Sequence, residues 1–255
     1  MTTSPDPTTG PRPGSAYATD FAAFYDTWFD KPGITPVTVE TLAELAAPSR
    51  TALELGIGTG RVALPLHRRG IHVHGVDASP EMVDRLRTKP GGTDIPVTLG
   101  DFAAAPVTGT YGLVYLVGGT FFELPTQQSQ LDCLKAAARR LSPEGVVALD
   151  AHVPEALAVG AQRGPRTVDS GGEGLVQCHR RLDPSTQRYV SHYAITEGGH
   201  TRHLRVDFRY ASAGELDLMA AASGLRLRTR WGAWDRRPFT RECTYHVSVY
   251  ERAEG

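Results

Sequence analysis

Residues 51 to 61 read Thr-Ala-Leu-Glu-Leu-Gly-Ile-Gly-Thr-Gly-Arg, an apolar strand pattern that runs into three glycines at alternate positions and then into a helical pattern. Glycine lacks Cβ, so Gly56, Gly58 and Gly60 can take positive φ and let backbone N–H groups come close to a ligand. The helix that follows offers an electropositive N-terminus. Strand, glycine loop and helix in that order make a cradle for a nucleotide-sized ligand. Two acids then fall where an adenosine needs them. The next apolar run, Ile71 to Val76, ends in Asp77, placed to accept hydrogen bonds from both ribose hydroxyls. The third run, Ile95 to Leu99, ends in Gly100-Asp101-Phe102, where a carboxylate can accept from an exocyclic adenine amine and an aromatic ring can lie beside the base.

The rest of the chain alternates in the same way. After a connecting helix at 35–47, strands are expected at 51–56, 72–77, 95–99, 111–117 and 144–151, with helices at 60–69, 80–89 and 126–141 between them. Such alternation implies a parallel sheet with helices on both faces. Ser79 can cap the helix at 80–89 with Pro80 in its first position, which lays Met82 over the adenine face. Residues 153–210 break the pattern. Three alternating runs, 175–182, 188–196 and 201–210, are separated by turn residues at 183–186 and 197–199, so an antiparallel β subdomain is expected after strand five. It would roof a substrate pocket or pair two subunits. A helix at 213–223 and strands at 225–231 and 245–251 complete a doubly wound, seven-stranded, mostly parallel α/β sheet. The catalytic unit thus spans 16–152 and 211–255. Residues 1–15, with four prolines among Ser, Thr and Gly, read as a disordered tail. From Tyr17 to Phe29 an aromatic stripe marks a leading helix.

Glycine spacing decides between cofactors. A dinucleotide loop reads G-x-G-x-x-G, whereas here Arg61 stands where its third glycine belongs. Glu54-Leu-Gly-Ile-Gly-Thr-Gly, with Asp77 and Asp101 at the following strand ends, resembles the first motif of class I S-adenosylmethionine-dependent methyltransferases. From about residue 17 to 251 the chain is similar to a small-molecule group of that family containing macrolide amino-sugar N,N-dimethyltransferases and glycine N-methyltransferase. The resemblance implies S-adenosyl-L-methionine as cofactor and S-adenosyl-L-homocysteine as product. It implies a leading helix that closes over the cofactor, with Tyr17 and Tyr25 against the methionine moiety. The cofactor set expected on these grounds adds Glu54, Ile57, Thr59, Ala78 and Val117 to the glycines, Asp77, Met82, Asp101 and Phe102.

The acceptor side is less constrained. The loop after strand four reads Val117-Gly118-Gly119-Thr120-Phe121-Phe122-Glu123. It lacks the Asn/Asp-Pro-Pro-aromatic motif of nucleic-acid amino methyltransferases, and the histidine-bearing loop of the sugar enzymes, so their catalytic histidine cannot be carried over. Phe121 and Phe122 either line an apolar acceptor pocket or begin the core face of the next helix. Glu123 and His152 are the proton acceptors best placed by topology. Trp234 and Asp235, between the last two strands, would suit an amine through cation–π attraction and an ion pair, or else belong to a hairpin packed on the insertion. Transfer to nitrogen of a small molecule or peptide terminus in secondary metabolism is the leading expectation. O- or C-methylation of an aromatic or polyketide acceptor, and cofactor binding without turnover, remain as alternatives. A net charge of −1 offers no general attraction to nucleic acid or anionic membrane. Cys133, Cys178 and Cys243 have no metal-site spacing, and with no apolar leader they suggest reduced thiols in a cytoplasmic protein without a metal.

Overall fold

The computed structural model describes residues 22, 25, 26, 35–168 and 175–253. The expected tail at 1–15 and most of the aromatic stripe, Tyr17 included, lie outside the described residues. Helix α1 (Thr35–Ala46) leads into β1 (Thr51–Leu55), α2 (Ala63–Arg68), β2 (His72–Asp77), α3 (Pro80–Arg87), β3 (Val97–Leu99), β4 (Tyr111–Leu116), α4 (Gln127–Arg140) and β5 (Leu141–His152). The chain then forms α5 (Pro154–Gln162), β6 (Arg166–Val168), β7 (Leu175–Asp183), β8 (Arg188–Glu197) and β9 (His200–Arg209), before α6 (Ala213–Ala221), β10 (Leu225–Trp231) and β11 (Tyr245–Arg252).

Seven strands pair in the order β10-β11-β5-β4-β1-β2-β3, and only β11 runs against its neighbours. This is the doubly wound, mostly parallel seven-stranded sheet that the sequence pattern leads one to expect. Strand β4, Tyr-Gly-Leu-Val-Tyr-Leu, is buried along its whole length, as a strand covered on both faces must be. One core cluster joins Leu53, Val114 and Leu149 to Leu134 of α4 and Leu216 of α6. The other joins Ala52, Leu113 and Val247 to Leu42 of α1, Leu66 of α2 and Leu86 of α3. Helices therefore cover both faces. None of the described helices is long and apolar enough to cross a membrane.

Local chemistry sets the element ends. Ser79 accepts from the Met82 amide at 3.3 Å, with Pro80 in the first turn. Helix α2 starts at residue 63 rather than 60 because Gly60 has φ +75° and closes a turn onto Ile57. Strand β3 starts at 97 rather than 95, because Pro96 has no N–H to give a ladder. The Leu141-to-Gly145 segment, between the expected helix at 126–141 and strand at 144–151, opens β5: its register with β4 shifts between Tyr111 and Leu113.

The second sheet has four antiparallel strands, β6-β7-β8-β9, where the sequence pattern suggested three. Strand β6 is only three residues long, and α5 has no side-chain cap and buries only Leu157, so neither left a periodic signal. The inner face carries Val176, Cys178, Tyr189, Ser191, Ile195 and Val206, all buried. A buried guanidinium fastens this sheet to the main one. Arg209, at the end of β9, pairs with Glu215 of α6 at 2.6 Å and donates to Gln130 of α4 at 2.5 Å.

Candidate active site

The glycine loop leaves β1 at the point where the order of strands reverses between β1 and β4, the crevice in which open α/β sheets bind ligands. The amides of Gly56 and Ile57 both donate to the Val76 carbonyl, at 2.8 and 3.0 Å, which holds the loop against the end of β2. Asp77 fixes its far side. One carboxylate oxygen accepts from the Gly58 amide at 2.6 Å and the other from Ser79 at 2.9 Å. Burial pushes the Asp77 carboxyl up, and the amides of Ser79, Gly58 and Ala78 pull it back. Each oxygen keeps lone pairs beyond those the backbone uses. At Gly56, with φ +82°, a Cβ would lie 2.5 Å from Thr120 Cγ2, so glycine there keeps the crevice open.

The crevice encloses about 40 Å³ behind a mouth open to solvent. Its walls are Tyr25, Gly56, Gly58, Asp77, Ala78, Met82, Phe102, Thr120 and Glu123. Seven of these nine were singled out in sequence as cofactor contacts, and Glu123 as a proton acceptor. Burial raises the Tyr25 hydroxyl to about 12, so it stays protonated over the crevice.

Other expected residues stand elsewhere. Glu54 is buried beneath the loop, 2% exposed, and accepts from Tyr115 Oη at 2.8 Å. Burial pushes its carboxyl up to about 8, against the Tyr115 hydrogen bond and the nearby Arg61 charge. The Ile57 side chain lies against Gly75 of β2. Thr59 donates to Asp26 at 2.5 Å and its carbonyl accepts from Lys89, whose ammonium lies 2.5 Å from Asp26. This knot ties the leading segment to the glycine loop. Gly60 packs on Leu86, and Val117 belongs to the core with Leu113 and Tyr115. Asp101 is exposed at the strand end, its carboxylate accepting from the Ala103 amide at 2.8 Å.

On the acceptor side, Gly118 and Gly119 both take φ +79° and turn the chain into a 3-10 segment, Thr120–Glu123. Phe121 and Phe122 are fully buried in the core beneath α4, the packing arrangement of the two their position allowed, and neither is among the crevice walls. Trp234 is also buried, 4% exposed. Its indole N–H donates to Asp150 and Tyr245, and its carbonyl accepts from Thr41 of α1. The tryptophan thus packs on α1 and the sheet, not on the insertion, and its neighbour Asp235 is exposed beside Arg237 at 3.8 Å. The amine-binding pair expected from sequence is not assembled at the crevice. His152 ends β5 under the insertion, its ring 5.9 Å edge-on to Tyr245. Burial lowers it to about 4, with the Arg180 and Arg166 charges acting the same way.

Two residues escaped the sequence reading. Asp150, 2% exposed within β5, accepts from Gly118 at 2.9 Å, Gly119 at 2.7 Å and Trp234 at 2.9 Å, and so pins the loop that carries Glu123. Its signal was an acid inside the apolar run Val146 to Ala151. Arg61 donates to Thr35 at 3.1 Å but keeps a buried Nε with no partner. Its signal was its place directly after Gly60.

Comparison with known proteins gives the family of the chain. A methyltransferase domain model matches residues 52–145. The CcbJ methyltransferase from Streptomyces caelestis superposes with a TM-score of 0.83 at 35% identity, over 94% of this chain and 98% of that one. The chain belongs to the S-adenosylmethionine-dependent methyltransferases. A cypemycin N-terminal methyltransferase from a Streptomyces species is 28% identical over 204 residues, 80% of this chain and 83% of that protein. CalS10, an amino pentose methyltransferase from Micromonospora echinaspora solved with S-adenosylmethionine, shares the fold, with a TM-score of 0.67 at 18% identity over 93% of this chain and 98% of that one. The residues present fit that cofactor. A doubly anchored carboxylate, an open backbone at Gly56, a Met–Phe pair for a flat base and an orphaned guanidinium N–H for a carboxylate all face or adjoin one crevice.

Proposed function

We propose that this methyltransferase acts on a nitrogen of a small molecule or peptide terminus in natural-product assembly. The observation that carries this reading is Glu123, a carboxylate in the crevice wall beside Gly56 and Thr120, held there by a loop pinned to Asp150. An amine must be neutral when it attacks, and a carboxylate at that point can take the proton an ammonium gives up. The names of the relatives support the same chemistry, since the cypemycin enzyme is described as acting on an N-terminus. When bound, the cofactor supplies an electrophilic methyl group on a sulfonium.

The chain's own residues bind and orient. In this reading Asp77 accepts from both ribose hydroxyls, Met82 and Phe102 enclose the adenine, and Asp101 accepts from its amine. Arg61 receives the methionine carboxylate, Glu54 lies beneath the glycine loop near the methionine end, and Tyr25 covers the sulfonium and excludes water. Most of the acceleration then comes from alignment and exclusion of water. His152, neutral down to about pH 4, accepts a proton from an ammonium poorly and serves as a hydrogen-bonding wall. The four-stranded sheet β6-β7-β8-β9 roofs the acceptor in this reading.

Mass analysis of a panel of amines and phenols tests this. N-methylated products are expected, and Glu123→Gln should lower kcat on the order of 100-fold with S-adenosylhomocysteine affinity unchanged. A product list of phenols alone would overturn the reading in favour of O-methylation.

A further inference from the structure

Four arginines have part or all of their guanidinium withdrawn from water near the two sheets, and they are not equivalent. Arg209 pairs with Glu215 at 2.6 Å, and Arg230 holds Asp217 through two nitrogens, at 2.6 and 3.2 Å. Arg61 adjoins the crevice, where the cofactor's carboxylate accounts for its spare N–H. Arg180 remains. It is half-buried on the inner face of β7, makes no ion pair among the described residues, and keeps a buried Nε with no hydrogen-bond partner. A guanidinium withdrawn from water without an anion is costly, and none of the described residues supplies one to Arg180.

Its surroundings bear on which anion fits it. Arg180 stands opposite Ser191 in the β7–β8 ladder, with its guanidinium carbon 5.8 Å from the centre of the Tyr189 ring. Tyr189 is fixed in turn by stacking on Phe208, 4.6 Å between centroids. Arg166 enters from β6 opposite Cys178, on the same face of the sheet. Below them lies His152 at the end of β5, within reach of both arginine charges. Tyr189 also feels the charge of Glu123, which faces the crevice. Tyr189, buried in the core, is thus acted on by a positive charge at Arg180, which lies over its ring, and by a negative one at Glu123 in the crevice wall.

We infer that Arg180, assisted by Arg166, is the acceptor-recognition site for a carboxylate, and that the acceptor is an amine bearing a carboxylate, its nitrogen directed to Glu123. This rests on the N-methyl transfer proposed above. A planar, singly charged carboxylate matches a guanidinium fork, and a neutral amino sugar would leave Arg180 unpaired. Arg180 binds and selects; it takes no part in the methyl transfer.

The test uses the full chain and matched acceptors: glycine, L-alanine, L-proline and L-phenylalanine, each beside its carboxamide and its decarboxylated amine. Two readouts are taken, N-methylated product by mass and the melting temperature of the S-adenosylhomocysteine-loaded enzyme with each compound. The acids should be methylated with kcat/KM at least about 10-fold above their carboxamides, and they alone should raise the melting temperature. Arg180→Gln and Arg180→Lys should raise KM for the acids by a similar factor, leaving kcat, carboxamide turnover and S-adenosylhomocysteine affinity unchanged. Equal use of acids and carboxamides, or an equal loss on both in Arg180→Gln, would overturn the carboxylate site while leaving N-methylation standing. No thermal shift with any acid would overturn it as well. Methylation of phenols with no amine product would instead overturn the parent reading.

Discussion

His152 and His246 are neighbours on β5 and β11, and each is held near 4 when an ordinary imidazole titrates at about 6.5. Burial is the main cause for both. Arg180 and Arg166 add to it at His152. At His246 the additions are Arg230 and His152, opposed by Asp217, while Ser248 meets its Nδ1 at 3.0 Å and Phe239 packs on the ring. The unfolded chain takes up these protons below about pH 6.5 and the folded chain only near 4. Stability therefore falls as pH drops from 6.5 to 4, on the order of 3 kcal/mol for each histidine. Glu54 has the opposite sign. Its folded carboxyl, near 8, binds a proton that the unfolded chain releases near 4.5, so its contribution is complete below 4.5 and is lost as pH rises through 8. Melting temperature against pH should show both limbs. His246→Gln should flatten the acid limb and Glu54→Gln the alkaline one; unchanged limbs in these variants would refute the assignment. At this scale Asp77 and the glycines were legible, because strand ends and missing side chains leave local signs. The burial of Trp234, Phe121 and Phe122 was not, because an aromatic residue in a loop reads alike whether it faces ligand or core.

Elements depend on one another through a few buried polar groups, and Asp150 is the sharpest case. A strand residue here shapes a loop on the neighbouring strand, since Gly118, Gly119 and Trp234 give it three hydrogen bonds within 2.7 to 2.9 Å. Asp150→Ala leaves the buried Gly119 amide unmet, at a cost of roughly 1 to 3 kcal/mol, while Gly118 is exposed to water and the Trp234 indole keeps Tyr245. Urea unfolding should show a loss of about 1 to 3 kcal/mol. Turnover should fall further than S-adenosylhomocysteine affinity, because the loop carries Glu123 while the adenosine contacts lie on β2 and β3. Wild-type stability in this variant would show that water replaces the carboxylate. Nothing local in the sequence tells that Asp150 accepts from residues about 30 and 80 positions away. The alternating strands were legible from period alone. The helix α5 and three-residue β6 were not, since a nine-residue helix with one buried side chain and a strand of Arg-Thr-Val carry little period.

At the scale of the whole molecule, two sheets divide the work. The seven-stranded sheet presents the ends of β1, β2 and β4 at the crevice, and the four-stranded sheet is fastened to it through Arg209. Reaction class was readable because the glycine loop and the acids at the following strand ends stand in a fixed chain order. Acceptor chemistry was not, because contacts such as Arg180 over the Tyr189 ring, and the loop carrying Glu123 some sixty residues earlier, are set by topology rather than by local sequence. The whole account rests on Asp77 and the glycine loop being the cofactor site. The most direct test is calorimetric titration of S-adenosylhomocysteine into the wild-type protein and into Asp77→Ala, with NAD as the control ligand and circular dichroism to verify folding. The account predicts saturable binding of S-adenosylhomocysteine alone, weakened about 10- to 100-fold in folded Asp77→Ala by loss of the ribose contacts. Undiminished affinity in that variant, or no binding by the wild type, would contradict it.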